Sequence, residues 1–151
     1  MDKLVKQILE GKIFIYPTDT IYGIGCNAED KNAVEKIKHI KERDKDKPLS
    51  IIAPSFKWIE ENCIIDLDLG KYLPGPYTII LRKKNPDFLN HVSNTGFIGV
   101  RIPACSFSQK VKNAGVPFIT TSVNLSGESF AKNVNEIPKQ ILDNVDVIID
   151  E

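Results

Sequence analysis

The chain has 151 residues, with 20 Lys+Arg against 20 Asp+Glu, a formal net charge of +0, and 42% hydrophobic residues. That length predicts a single domain spanning 1–151, and that apolar fraction excludes a chain too polar to fold. Balanced charge argues against gripping long duplexes by counterion release alone, and no apolar run approaches the roughly 18 residues of a membrane span.

The elements follow in chain order. Leu4, Val5, Ile8 and Leu9 repeat at helical spacing and stop at Gly11. Lys12 to Tyr16 reads as a strand ending at Pro17, and a polar Pro17-Thr18-Asp19-Thr20 turn leads into a second apolar run from Ile21 to Cys26. Ala33, Val34, Ile37 and Ile40 mark one face of a helix from about Asp30 to Lys41. After a charged loop, Leu49 to Ala53 reads as a buried strand, and Pro54-Ser55 opens a helix that carries Phe56 and Ile59 inward, with Trp58 as a further candidate. Asp66 to Leu73 reads as a short helix closed by Pro74-Gly75-Pro76. Strands are expected at Tyr77–Arg82, Phe97–Ile102, Val116–Ser122 and Val145–Ile149, with helices at Ser106–Ala114 and Asn135–Leu142 and a polar loop at Asn124–Asn133. Alternating strands and helices predict one α/β domain, a twisted mixed sheet with flanking helices.

Several common chemistries lack their residues. Cys26, Cys63 and Cys105 are odd in number and have no C-x-x-C spacing, so small buried thiols are expected. His39 and His91 have no nearby Cys or Glu at ligand spacing, which disfavours a protein-built zinc site, a cysteine nucleophile and a Ser-His-Asp triad. Gly23 to Ala28 matches G-x-G-x-x-A as a string, but the turn directly after the first strand is Pro17–Thr20, the wrong context for a dinucleotide site. The first residues scatter charges and show no apolar signal core, so a cytoplasmic location is expected.

Four strings offer chemistry. Pro17-Thr18-Asp19-Thr20 gathers two hydroxyls and a carboxylate at a strand end, where open α/β sheets bind ligands; a turn-capping cluster is the other reading. Lys41 and Arg43 leave a helix together and could clamp a polyphosphate, or could be exposed cations complementing the helix dipole. Arg101 stands alone in the apolar run Val100-Arg101-Ile102-Pro103 and must meet either an internal carboxylate or a ligand anion. Thr120 to Gly127 closes a β-branched strand with a run of hydroxyls, an amide and a glycine.

Taken together these strings resemble the threonylcarbamoyl-AMP synthase family, with its YrdC-type fold. The resemblance is carried by Pro17-Thr18-Asp19-Thr20-Ile21-Tyr22-Gly23, Lys41-Glu42-Arg43 with Pro48-Leu49, Pro74-Gly75-Pro76-Tyr77-Thr78, Val100-Arg101-Ile102-Pro103 and Ser122-Val123-Asn124-Leu125-Ser126-Gly127. It implies a concave positive cleft and a nucleotidyltransferase that makes threonylcarbamoyl-AMP and pyrophosphate from L-threonine, bicarbonate and ATP. The product would serve tRNA threonylcarbamoyladenosine modification, with tRNA or a tRNA-modifying complex as partner. It implies further that Lys41 and Arg43 act on ATP phosphates with help from Lys47, that Ser122 and Asn124 bind the nucleotide, and that Thr20, Arg101 and Thr120 hold threonine. Magnesium would arrive with ATP rather than in a protein cage. Two features depart from the family: Ile52 stands where some relatives carry a histidine, and the sequence stops before a further Gly-rich stretch and strand. Two other readings are a non-catalytic RNA-binding or nucleotide-binding module, suggested by the basic stretch Lys36 to Lys47, and a carbamoyl-adenylate-forming relative with another acceptor.

Overall fold

The structure is a computed structural model, and it describes residues 2–44, 46–124 and 133–150. In chain order its main elements are α1 (Lys3–Leu9), β1 (Phe14–Pro17), β2 (Tyr22–Gly25), α2 (Lys31–Ile40), β3 (Ser50–Ile52), α3 (Phe56–Asn62) and β4 (Cys63–Ile64). There follow β5 (Ile79–Lys83), β6 (Phe97–Arg101), α4 (Phe107–Ala114), β7 (Phe118–Ser122), α5 (Lys139–Leu142) and β8 (Val147–Ile148). The helix starts are written locally: Asp2, Asp30 and Ser55 each accept a backbone N–H of the first turn through the side chain. Gly115, at φ 73°, ends α4 in the left-handed conformation that glycine adopts without steric cost.

The strands form one mixed sheet in the order β4-β5-β6-β3-β7-β2-β1-β8. β3 runs parallel to β6 and β1 parallel to β8, while the remaining neighbours are antiparallel. Side chains alternate across the sheet, so β1, β3 and β7 each feed two cores. Ile13, Ile15, Ile24, Ile51 and Ile119 join α2, α3 and α5 on one face. Phe14, Tyr16, Ile52 and Phe118 meet Ile8 of α1 and Phe107 and Val111 of α4 on the other. The aromatic members of this second core interlock, with Tyr16 stacked on Phe107 at 4.5 Å between ring centroids and Phe118 edge-on to both. The α1–α4 layer covers one part of its sheet face. Beyond it, that face stays open and presents Ile80 and Phe97, with the Arg82 guanidinium 4.9 Å above the Phe97 ring.

Some boundaries differ from expectation. Asp66–Leu73 contains only a 3₁₀ turn at Leu69–Lys71, and β4 forms where no strand was expected, because two residues carry too little pattern to read. The expected helix over Asn135–Leu142 is split into a 3₁₀ turn at Val134–Glu136 and α5, since Pro138 lacks the N–H that a continuous helix would need. Phe56 turns outward at 39% exposure, while Ile59 of the same helix is buried. Most of the expected polar loop at Asn124–Asn133 lies outside the described residues.

Candidate active site

Register brings the site together. Ser50 of β3 pairs with Gly99 of β6 and with Thr120 of β7, Ile52 pairs with Arg101, and Ser122 pairs with Gly23 of β2. Because strand side chains alternate, Ser50, Arg101, Thr120 and Ser122 all point to one face. The turn between β1 and β2 arches over the same face. Together these elements enclose a cavity of about 160 Å³ lined by Thr18, Thr20, Tyr22, Gly23, Ser50, Thr78, Arg101, Thr120, Thr121 and Ser122. Thr20, Arg101, Thr120 and Ser122, four of the residues picked from sequence, therefore converge on it.

Two glycines make room for this arrangement. A Cβ on Gly25 would lie 1.8 Å from the Ile119 carbonyl oxygen, so only glycine lets β2 approach β7 this closely. A Cβ on Gly23 would lie 2.9 Å from the Tyr16 ring beneath it. The G-x-G string is thus a packing device inside a strand and not a phosphate-binding turn. Tyr16 in turn donates its hydroxyl to the Ile119 carbonyl at 3.2 Å, and burial raises its pKa while a hydrogen bond with Thr120 opposes that rise. The phenol is thereby a neutral fixture under the cavity floor.

Lys41 caps the C-terminal end of α2 and is 1% exposed, which corrects the reading of Lys41 as an exposed helix-end cation. Its stem passes inward and Nζ donates to the hydroxyl of Thr121 at 2.7 Å; Thr121 lines the cavity and Lys41 does not. Burial first, then repulsion from Arg43 and Lys47, lowers its pKa to about 8. Glu42 has a φ of 55°, and this left-handed turn separates the directions of Lys41 and Arg43. Arg43 Nη2 donates to the Pro48 carbonyl at 2.7 Å, and its buried Nε has no hydrogen-bond partner. Arg43 and the exposed Lys47 do not line the cavity; they stand near enough to Lys41 to bear on its charge. Ser122 donates to Asn124 Oδ1 at 2.6 Å, which ties the strand end to the following segment. Leu125, Ser126 and Gly127, the rest of that string, lie outside the described residues. Ile52 is fully buried in the second core, where it packs with Phe14, Tyr16 and Phe118.

Arg101 was expected to meet an internal carboxylate or a ligand anion, and the structure supplies the carboxylate: Nη2 pairs with Asp19 Oδ1. The guanidinium is not saturated, since Nε is buried without a hydrogen-bond partner. Sequence reasoning missed Asp19 as this partner, and it missed Ser50 and Thr78 as lining residues. Ser50 becomes visible only through the β3–β6 register, whereas Asp19 and Thr78 sit in strings already singled out. Among the described residues, no group of three or more His, Cys, Asp or Glu side chains is placed to hold a metal ion. Nor is any helix among them long and apolar enough to cross a membrane.

Comparison with known proteins gives a consistent result. The Sua5/YciO/YrdC family model, described as "Telomere recombination", matches residues 6–151. A Methanocaldococcus jannaschii protein provisionally named a threonylcarbamoyl-AMP synthase is 42% identical over 154 residues, covering 99% of this chain and 72% of that protein. A Vibrio campbellii threonylcarbamoyl-AMP synthase is 30% identical, covering 98% of this chain and 84% of its own. Among solved structures, P. abyssi Sua5 complexed with L-threonine superposes with a TM-score of 0.83 at 30% identity over 97% of this chain. This chain spans 45% of that Sua5 chain, about half its length. E. coli YciO superposes with a TM-score of 0.82 at 28% identity, over 97% of this chain and 75% of its own. The chain belongs to the Sua5/YciO/YrdC family.

Proposed function

We propose that the protein is a threonylcarbamoyl-AMP synthase that uses L-threonine, bicarbonate and ATP. The observation that carries this reading is the convergence of Thr20, Arg101, Thr120 and Ser122 on one cavity, whose lining residue Thr121 holds the buried Lys41 ammonium, in a chain whose relatives bear that name. The cavity is smaller than the roughly 300–1,000 Å³ of sites that bury drug-sized ligands. It suits a small amino acid and leaves the nucleotide to extend outside it.

In the first step the amine of threonine, as the free base, combines with bicarbonate to give a carbamate and water. A carbamate oxygen then attacks the α-phosphorus of ATP, forming the mixed anhydride as the bond to pyrophosphate breaks. The substrates supply the nucleophile, so the protein contributes position and charge stabilisation, which dominate the catalysis of such transfers. Arg101, which lines the cavity, would offer its guanidinium to the threonine carboxylate, a charge-assisted contact. Thr20 and Thr120 would hold the rest of that substrate. Lys41, with Arg43 and Lys47 nearby, would meet the phosphates and oppose the charge that develops on leaving pyrophosphate, while Ser122 and Asn124 order the nucleotide. Magnesium would enter on the triphosphate, with phosphate oxygens as its ligands. A cytoplasmic setting and delivery of the product to a tRNA-modifying complex belong to the same proposal.

The test is pyrophosphate release by the full chain with ATP, magnesium and bicarbonate, comparing threonine, serine and no amino acid. Release that requires both threonine and bicarbonate is expected. Equal release without an amino acid would make the protein a simple ATP hydrolase and overturn the reading.

A further inference from the structure

Asp19 is the side chain through which the β1–β2 turn reaches the rest of the sheet. Thr18 uses its hydroxyl inside the turn, donating to the Ile21 carbonyl at 2.5 Å and accepting the Thr20 N–H at 3.2 Å. Asp19 directs both carboxylate oxygens outside it. Oδ1 takes the Arg101 guanidinium, at the end of β6, and Oδ2 takes the Ala104 N–H at 2.9 Å, just beyond that strand. The two side chains of the pair are 13% and 10% exposed, so this is a built contact and not a surface ion pair. The pair leaves Arg101 Nε buried and unpartnered, and Arg101 as a residue lines the cavity.

We propose that Asp19 is a positioning residue for the amino-acid substrate. Its carboxylate straps the turn that carries Thr18 and Thr20 across the open sheet face. The same carboxylate fixes the rotation of the Arg101 guanidinium where Arg101 lines the cavity. Because Oδ2 is committed to the Ala104 N–H, Asp19 stays in place when substrate binds, and the substrate carboxylate adds to the guanidinium rather than replacing Asp19. The alternative, a carboxylate that leaves to admit substrate, would break the Ala104 contact and release the turn that bears Thr20. This inference rests on the threonine reading of the cavity.

The experiment measures three quantities on the native chain, Asp19→Asn, Asp19→Ala, Arg101→Lys and the double variant of Asp19→Asn with Arg101→Lys: the KM for L-threonine, the affinity for MgATP, and amide exchange at Ala104. Asparagine keeps the shape but cannot accept from both partners at once. Asp19→Asn is expected to raise the threonine KM about tenfold or more, the worth of a charge-assisted bond, with MgATP affinity within about twofold. Adding Asp19→Asn to Arg101→Lys should change the threonine KM little further, because the strap acts through a guanidinium that is no longer there. A residue that merely stabilised the fold would give the same factor in both backgrounds. Exchange at Ala104 should accelerate in Asp19→Ala, which removes both acceptors, whether or not threonine is the substrate. An unchanged threonine KM, or equal factors in both backgrounds, overturns the positioning role, and unchanged exchange at Ala104 overturns the strap. If the native chain shows no threonine dependence at all while Ala104 exchange still responds, the substrate reading has failed and the positioning role falls with it, leaving only the strap.

Discussion

Lys41→Met separates the functional from the structural reading of the basic loop. The ammonium is 1% exposed and its pKa is lowered to about 8, first by burial and then by Arg43 and Lys47. A drop of that size from the ordinary lysine value represents about 3 kcal/mol held against the charged form at neutral pH. The visible compensation is one hydrogen bond to the Thr121 hydroxyl, worth about 1 kcal/mol net. Methionine fills similar space without the charge, so the variant should be more stable by about 2 kcal/mol. For a chain of this size that raises the melting temperature by about 4–8 °C. The same change should weaken MgATP binding about ten- to a hundredfold, the worth of a lost charge-assisted contact. Thermal melts with and without MgATP measure both effects, since nucleotide protects the folded state by mass action. A variant that melts lower than the parent, or that ATP protects equally well, would refute the account of Lys41 as a cation kept in an unfavourable place for phosphate.

The lowered pKa also sets a pH dependence. Between about pH 8 and the ordinary lysine range the unfolded chain binds more protons than the fold at Lys41, so this group's contribution to stability rises with pH through that window; the rise should be missing in Lys41→Met melts. MgATP binding at pH 8 should take up about half a proton, read by calorimetry in buffers of different ionisation enthalpy, and no uptake would place the phosphates elsewhere. Lys83 gives the opposite outcome for the same substitution: it is 2% exposed, but its Nζ donates to the carbonyls of Pro86, Phe88 and Ser93. Lys83→Met should lose about 2–4 kcal/mol, because it removes three hydrogen bonds and leaves the buried Ser93 carbonyl without this donor, and denaturant melts that show a gain would refute that. Gly25→Ala should cost about 3 kcal/mol or prevent folding, through overpacking against the Ile119 carbonyl; an unchanged melt would mean the β2–β7 spacing is looser than described.

Periodicity made the layer plan legible. Ile13 and Ile15 alternate with Phe14 and Tyr16, and that alternation alone separates the two cores. The helix at α2 was readable because its apolar spacing and its Asp30 cap agree. What stayed illegible depends on pairing between distant segments. The β3–β6 register that delivers Ser50 beside Arg101 leaves no mark in either string, and the burial of Lys41 is set by Thr121, eighty positions away. Arg101 posed its own question in an apolar run, but only the arch of the β1–β2 turn shows that Asp19 answers it.

The most direct test of the central claim follows the carbon of bicarbonate. With carbon-13 bicarbonate, L-threonine, ATP and magnesium, mass spectrometry of the products should reveal an adenylate that carries threonine and one labelled carbon, in amounts equal to the pyrophosphate released. Omitting threonine should abolish both. Pyrophosphate or phosphate release with no labelled adenylate would contradict the synthase reading.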